Sequence, residues 1–107
     1  MVFNAFRQLF IPYCETDGVS SGKAGSYYRA IKYLAEFLNL PDLGHGNASR
    51  ILEKENDIKD RGSNFYQQLF RHLDDNGRRS YLDGAFLQSA MPYFARFAAE
   101  KKFTIVL

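Results

Sequence analysis

"GVSSGKAGSYYRAIKYLAEFL", residues 18–38, is the stretch on which the reading of this chain turns. Its second half carries the clearest helical pattern in the sequence. Tyr27, Ala30, Ile31, Leu34 and Leu38 recur at i, i+3, i+4, i+7 and i+11, and Tyr33 and Phe37 widen the same apolar face. A helix apolar over so broad a face belongs at the centre of a bundle. Ser26 is the predicted N-cap, because a serine hydroxyl accepts from the free amides of a first turn. Asn39-Leu40-Pro41 is the predicted stop. The first half is polar and glycine-rich, and residues 14–25 are predicted as loop.

Three glycines, three serines and a lysine ahead of a helix suggest a phosphate-cradling loop, and spacing tests the idea. A nucleotide-binding loop needs four residues between its glycines and a hydroxyl residue after its lysine. Here Gly18 and Gly22 enclose only Val19, Ser20 and Ser21, and Ala24 follows Lys23. That function is excluded. A weaker form survives: free amides at a helix start, with Lys23 and Arg29 beside them, suit one anionic group such as a backbone phosphate. A ligand-free loop capped by Ser26 accounts for the same residues.

Outward from this helix the pattern stays helical. Val2, Phe3, Phe6, Leu9, Phe10 and Tyr13 predict a helix over residues 2–13, with Pro12 near its end. Residues 42–47, "DLGHGN", read as a turn. Residues 48–60 are charged, with Ile51, Leu52 and Ile58 as sparse anchors, and predict one helix at the edge of the core. A helix over 64–74, capped by Ser63 or Asn64, carries the stripe Phe65, Leu69, Leu73 and a second one, Tyr66 and Phe70. "DDNGRRS", residues 74–80, is a sharp turn. Phe86, Leu87, Ala90, Met91, Phe94, Phe97 and Ala98 mark a closing helix, and Pro92 inside it predicts a kink or two abutting helices. The expected architecture is all-α, a compact bundle of about five helices over residues 1–102. Residues 103–107, "FTIVL", form a short tail that reads as a strand or the start of a linker. The expected core is Phe6, Leu9, Phe10, Tyr27, Ile31, Leu34, Phe37, Leu69, Leu73, Phe86, Leu87, Ala90, Phe94 and Phe97.

Composition narrows the function classes. At 107 residues, 46% hydrophobic and 16% aromatic, the chain suits one domain with one core and is too apolar for disorder. No run reaches the ~18 apolar residues of a membrane span. The N-terminus lacks the features of a signal peptide. Cys14 stands alone, which excludes an internal disulfide and a cysteine-based zinc site, and cytoplasm is the expected compartment. Net charge is only +2, so nucleic-acid binding requires the cations to gather on one face.

Candidate chemistry is sparse. His45 and His72 lack the neighbours of a metal pattern and read as surface residues. Tyr27 and Tyr28 read as packing or interface residues rather than nucleophiles. Asp74 and Asp75 suit pairing with Arg78 or Arg79 across the turn. Arg78 and Arg79 also carry the planar fork that grips phosphate, although a solvated turn is the simpler account of them. Arg96, Lys101 and Lys102 suit the negative end of a helix dipole. No cofactor site is expected.

"SSGKAGSYYRAIKYLAEFL" and "RRSYLDGAFLQSAMPYFARFAAE" resemble the N-terminal helical domain found ahead of nuclease domains, often HNH, in restriction endonuclease-like proteins. In that family a polar loop leads into a helix of the form of Ser26-Tyr27 onward, and a closing helix matches Ser89-Ala90-Met91, Tyr93, Phe94 and Phe97. A looser resemblance joins the layout to the core-binding helical domain of phage-type integrases. The resemblance spans roughly residues 20–98 and rests on packing residues; Pro92 departs from it, and the histidines and cysteine pairs of an HNH domain are not in this chain. It implies a non-catalytic, accessory DNA-binding domain that contacts the backbone of duplex DNA weakly. Lys23, Arg29, Lys32, Arg78, Arg79, Lys101 and Lys102 are the expected DNA contacts, with the acidic residues of 53–60 elsewhere. The alternative is a protein-interaction module, a homodimer or a phage-type inhibitor of a host protein. That reading rests on Tyr28, Tyr66 and Tyr81 standing outside the core.

Overall fold

Three helices end in the same way, and these endings set the course of the chain. The last carbonyls of a helix lack donors, and a residue in the left-handed region turns the next amides back onto them. Gly18, Asn39 and Gly77 take that conformation, with φ of +89°, +59° and +70°. At the first, Gly18 N–H donates to Glu15 O and Val19 N–H to Cys14 O. At the second, Asn39 N–H donates to Glu36 O and Leu40 N–H to Ala35 O. At the third, Gly77 N–H donates to Asp74 O and Arg78 N–H to Leu73 O. Each turn lets the chain reverse within a few residues, as a small bundle requires.

The computed structural model describes residues 1–44 and 46–101, with Lys101 described by its backbone alone. In chain order the helices are α1 (Phe3–Thr16), α2 (Ser21–Phe37), α3 (Asn47–Leu52), α4 (Glu55–Lys59), α5 (Asn64–Asp75), α6 (Ser80–Asp83) and α7 (Phe86–Lys101). The class is all-α, with no strand among the described residues. The count exceeds the expected five because the helix predicted over 48–60 breaks at Glu53-Lys54, and a single helical turn, α6, follows the predicted 74–80 turn, sharing only Ser80 with it. The predicted tail, 103–107, lies outside the described residues.

The glycine-rich stretch corrects the largest part of the sequence reading. α1 runs on to Thr16, and α2 begins at Ser21, so most of residues 14–25 are helical. The cap of α2 is Ser20, whose hydroxyl accepts from Lys23 N–H at 3.3 Å. Ser26 lies inside the helix and donates its hydroxyl to Gly22 O at 3.2 Å. Gly18 supplies the physical reason. Its left-handed turn closes α1 so abruptly that the chain re-enters a helix at once, and Gly22 and Gly25 are carried as helical residues.

Pro12 and Pro92 sit within continuous helices. A proline deprives the carbonyl four residues earlier of its donor. Pro12 and Pro92 both lie on exposed faces, and Gln8, whose carbonyl Pro12 leaves free, is exposed as well. Water satisfies such an acceptor, so α1 passes through Pro12. α7 is likewise one helix rather than two abutting ones.

α2 lies between α1 and α7 and also meets α5 and α6. Accordingly Ala24, Tyr27, Tyr28, Ala30, Ile31, Leu34 and Ala35 are all buried. α1 contributes Phe6, Phe10 and Cys14 to the interior. Phe6 stacks on Phe10 at 4.8 Å between centroids and takes the edges of Phe94 and Phe97 at 5.7 and 5.5 Å. Such pairs add about 0.5–1.5 kcal/mol each beyond their buried area. Leu9 is the one expected core residue that faces solvent, 45% exposed. One position from Phe10 is about 100° around a helix, which turns Leu9 off the inward stripe. Phe37 and Phe86 are half-buried at the rim, and the other eleven expected core residues are buried.

Candidate nucleic-acid interface

Arg29 and Lys32 stand three residues apart on α2 and so share one face. That face borders the N-terminal half of α1. Between the two helices runs a groove of about 390 Å³ lined by Asn4, Arg7, Tyr28, Arg29, Lys32 and Tyr33. Three cations from two helices thus converge on one depression. Among the described residues none of the three makes an ion pair.

Arg29 is held in place without being neutralised. Its Nε donates to the Tyr81 hydroxyl at 2.7 Å and its Nη2 to Ser26 Oγ at 3.2 Å. Both acceptors are neutral, so the guanidinium keeps its full charge, and two of its five donors are used. A Cβ at Gly25, one turn earlier, would meet Arg29 Nη1 at 3.4 Å, an ordinary van der Waals contact.

The patch continues through two tyrosines. Tyr81 meets Tyr33 edge-on, 5.0 Å between centroids at 84°. Arg78 lays its guanidinium over Tyr33, 4.0 Å from the ring centre, and its Nη1 donates to Glu36 Oε2 at 3.0 Å. The turn before α6 therefore delivers a fourth cation to the α2 face.

Of the seven expected DNA contacts, the structure gathers Arg29, Lys32 and Arg78. Lys23 stands nine residues before Lys32, about 900° of helical rotation, hence on the opposite side of α2. Arg79 is exposed and lies 3.9 Å from Asp74, as expected for a pair across the turn. Lys101 ends α7 at the far end of α1, where Tyr13 meets Phe97 at 5.3 Å. Lys102 and His45 lie outside the described residues. Arg7, Tyr33 and Tyr81 are members of the patch that the sequence reading did not assign. The signal available was a cation and a tyrosine one helical turn apart, Arg29 and Tyr33, on a single face.

The acidic residues Glu53, Glu55, Asp57 and Asp60 belong to the segment around α4, which packs on α5 and α7. Elsewhere some of the charges are paired with one another. Arg96 pairs with Asp17 at 3.3 Å beside Tyr13, Thr16 and Glu100, in a smaller groove of about 190 Å³. Cys14 is fully buried, and burial pushes its thiol up to about 11, so it is protonated at neutral pH. His72 packs 5.2 Å from Phe37. Among the described residues no three His, Cys, Asp or Glu side chains group to hold a metal, and no helix is long and apolar enough to cross a membrane.

The tyrosines correct a second expectation. Tyr28 and Tyr66 are buried, at 7% and 5% exposure, and Tyr81 is half-buried with its hydroxyl taken by Arg29. Of the three tyrosines expected outside the core, Tyr28 and Tyr66 are therefore inside it and Tyr81 stands at its rim. Comparison with family models, with curated proteins and with solved structures finds no match.

Proposed function

We propose that the face formed by Arg7, Arg29, Lys32 and Arg78 binds the phosphate backbone of duplex DNA, as the accessory, non-catalytic domain of a restriction endonuclease-like protein. The supporting observation is the groove itself. Three cations that make no ion pair among the described residues line it, and a fourth stands at its edge on a tyrosine ring. Phosphate recognition asks for charge and for planar forks already in position. Tyr33 and Tyr81 serve as supports for arginine, with Arg78 over one ring and the Tyr81 hydroxyl engaged. Their use as props favours backbone contact over the stacking of unpaired bases, in which aromatic faces must be open. The resemblance in residues 20–98 supplies the accessory role.

Three to four phosphate contacts give a log–log salt slope near −3, at about −0.9 per contact, and a Kd of about 10–100 μM at moderate salt. Fluorescence anisotropy with a short mixed-sequence duplex at several salt concentrations tests this. Arg29→Ala/Lys32→Ala is expected to weaken binding and make the slope shallower by about 1.8. Lys23→Ala, on the opposite side of α2, is expected to leave the slope unchanged. A wild-type protein that fails to bind in low salt, or a double variant with an unaltered slope, contradicts the reading.

A further inference from the structure

Among the described residues Glu36 is the one carboxylate paired with a cation of this face, and its place on α2 is specific. It lies one helical turn after Lys32, three residues after Tyr33, and holds Arg78 by one Nη1–Oε2 hydrogen bond of 3.0 Å. Both partners are substantially open to water, with side chains 35% and 42% exposed for Arg78 and Glu36. An exposed pair of this kind contributes little to stability. Its guanidinium is nevertheless kept in one orientation, because the Tyr33 ring carries it from below at 4.0 Å. Arg78 is thus oriented by the ring and charge-compensated by the carboxylate, and these two jobs are separable.

We infer that Glu36 is a built-in competitor for the DNA phosphate: bound phosphate replaces the Glu36 carboxylate on Arg78, while the Tyr33 ring keeps the guanidinium in place. This rests on the backbone-binding reading above and adds its regulation. In the free protein the latch lowers the charge of the face and weakens attachment to any anion. On DNA the released Glu36 returns to water, and Arg78 gains a phosphate without first having to be ordered. The exchange moves no covalent bond and no proton. It favours polyanions at Arg78, since neighbouring phosphates on Arg7, Arg29 and Lys32 hold a polyanion in place for the exchange and a lone anion there has no such help.

The test is a double-mutant cycle read by anisotropy with the same duplex in low salt, over wild type, Glu36→Gln, Arg78→Ala and the double variant. Glutamine keeps an acceptor for Arg78 and removes the charge. Glu36→Gln is expected to tighten binding about 2- to 5-fold, the range of an exposed ion pair, and to lose that effect in the Arg78→Ala background. Both residues are surface-exposed, and matched thermal unfolding curves confirm that all four proteins fold. Equal tightening with and without Arg78 overturns the latch, because the effect is then general repulsion, while leaving the backbone-binding reading in place. No change on Glu36→Gln in a wild type that binds also overturns the latch alone. Failure of all four proteins to bind overturns both.

Discussion

At the scale of single residues, Gly25 is a helical glycine whose surroundings leave room for a Cβ. A helical glycine is less favourable than alanine by up to about 1 kcal/mol. Nothing but the Arg29 guanidinium comes within 4 Å of a Cβ at Gly25. Gly25→Ala is therefore expected to raise stability, by up to about 1 kcal/mol and a few degrees in Tm for a chain of this size. A Cβ there would meet the guanidinium at 3.4 Å, an ordinary contact, so DNA affinity is expected to stay the same. Thermal unfolding and anisotropy on the same variant check the two halves. A variant that loses stability, or one that binds DNA more weakly, contradicts this account. The glycine was visible in the sequence, but a glycine reads as a breaker until the structure shows it carried within a helix.

At the scale of elements, α2 carries both the core and the candidate site. Its inward residues repeat at helical spacing, which made Tyr27, Ile31 and Leu34 legible as core from pattern alone. Leu34 is 1% exposed in the helix that α1 and α7 enclose. Leu34→Ala is expected to cost about 2–5 kcal/mol in chemical denaturation, since a central position between packed helices cannot collapse onto the void. A cost below about 0.5 kcal/mol contradicts that position. The start of α2 was not legible. Ser20 and Ser26 are equally good caps by residue type, and Gly22 and Gly25 disfavour helix locally. The closure of α1 at Gly18 and the burial of Ala24 decided between them, and both are tertiary facts. The prolines show the same limit. Pro12 and Pro92 forbid a buried helical neighbour far more than an exposed one, and exposure is set by the packing of the whole bundle.

At the scale of the molecule, Arg7, Arg29 and Lys32 come together in one groove, while Glu53, Glu55, Asp57 and Asp60 lie, with Lys54 and Lys59 among them, in the segment packed on α5 and α7. The sequence placed Arg29, Lys32 and Arg78 among the candidates because cations near loops and helix starts attract attention. It grouped them with Lys23, Arg79, Lys101 and Lys102, because distance along the chain carries no information about which side of a helix or which end of a bundle a residue occupies. Arg7 escaped notice for the converse reason: it sits alone on α1 and joins the groove only when α1 and α2 pack. The central claim is that this one face receives duplex DNA. A nuclear magnetic resonance titration of the isotope-labelled protein with a short duplex tests it most directly. Amide shifts are expected at Arg7, along Arg29 to Glu36, and at Arg78 to Tyr81, reversed by added salt. Shifts centred on residues 53–60 or on α5, or no shifts at all in low salt, contradict it.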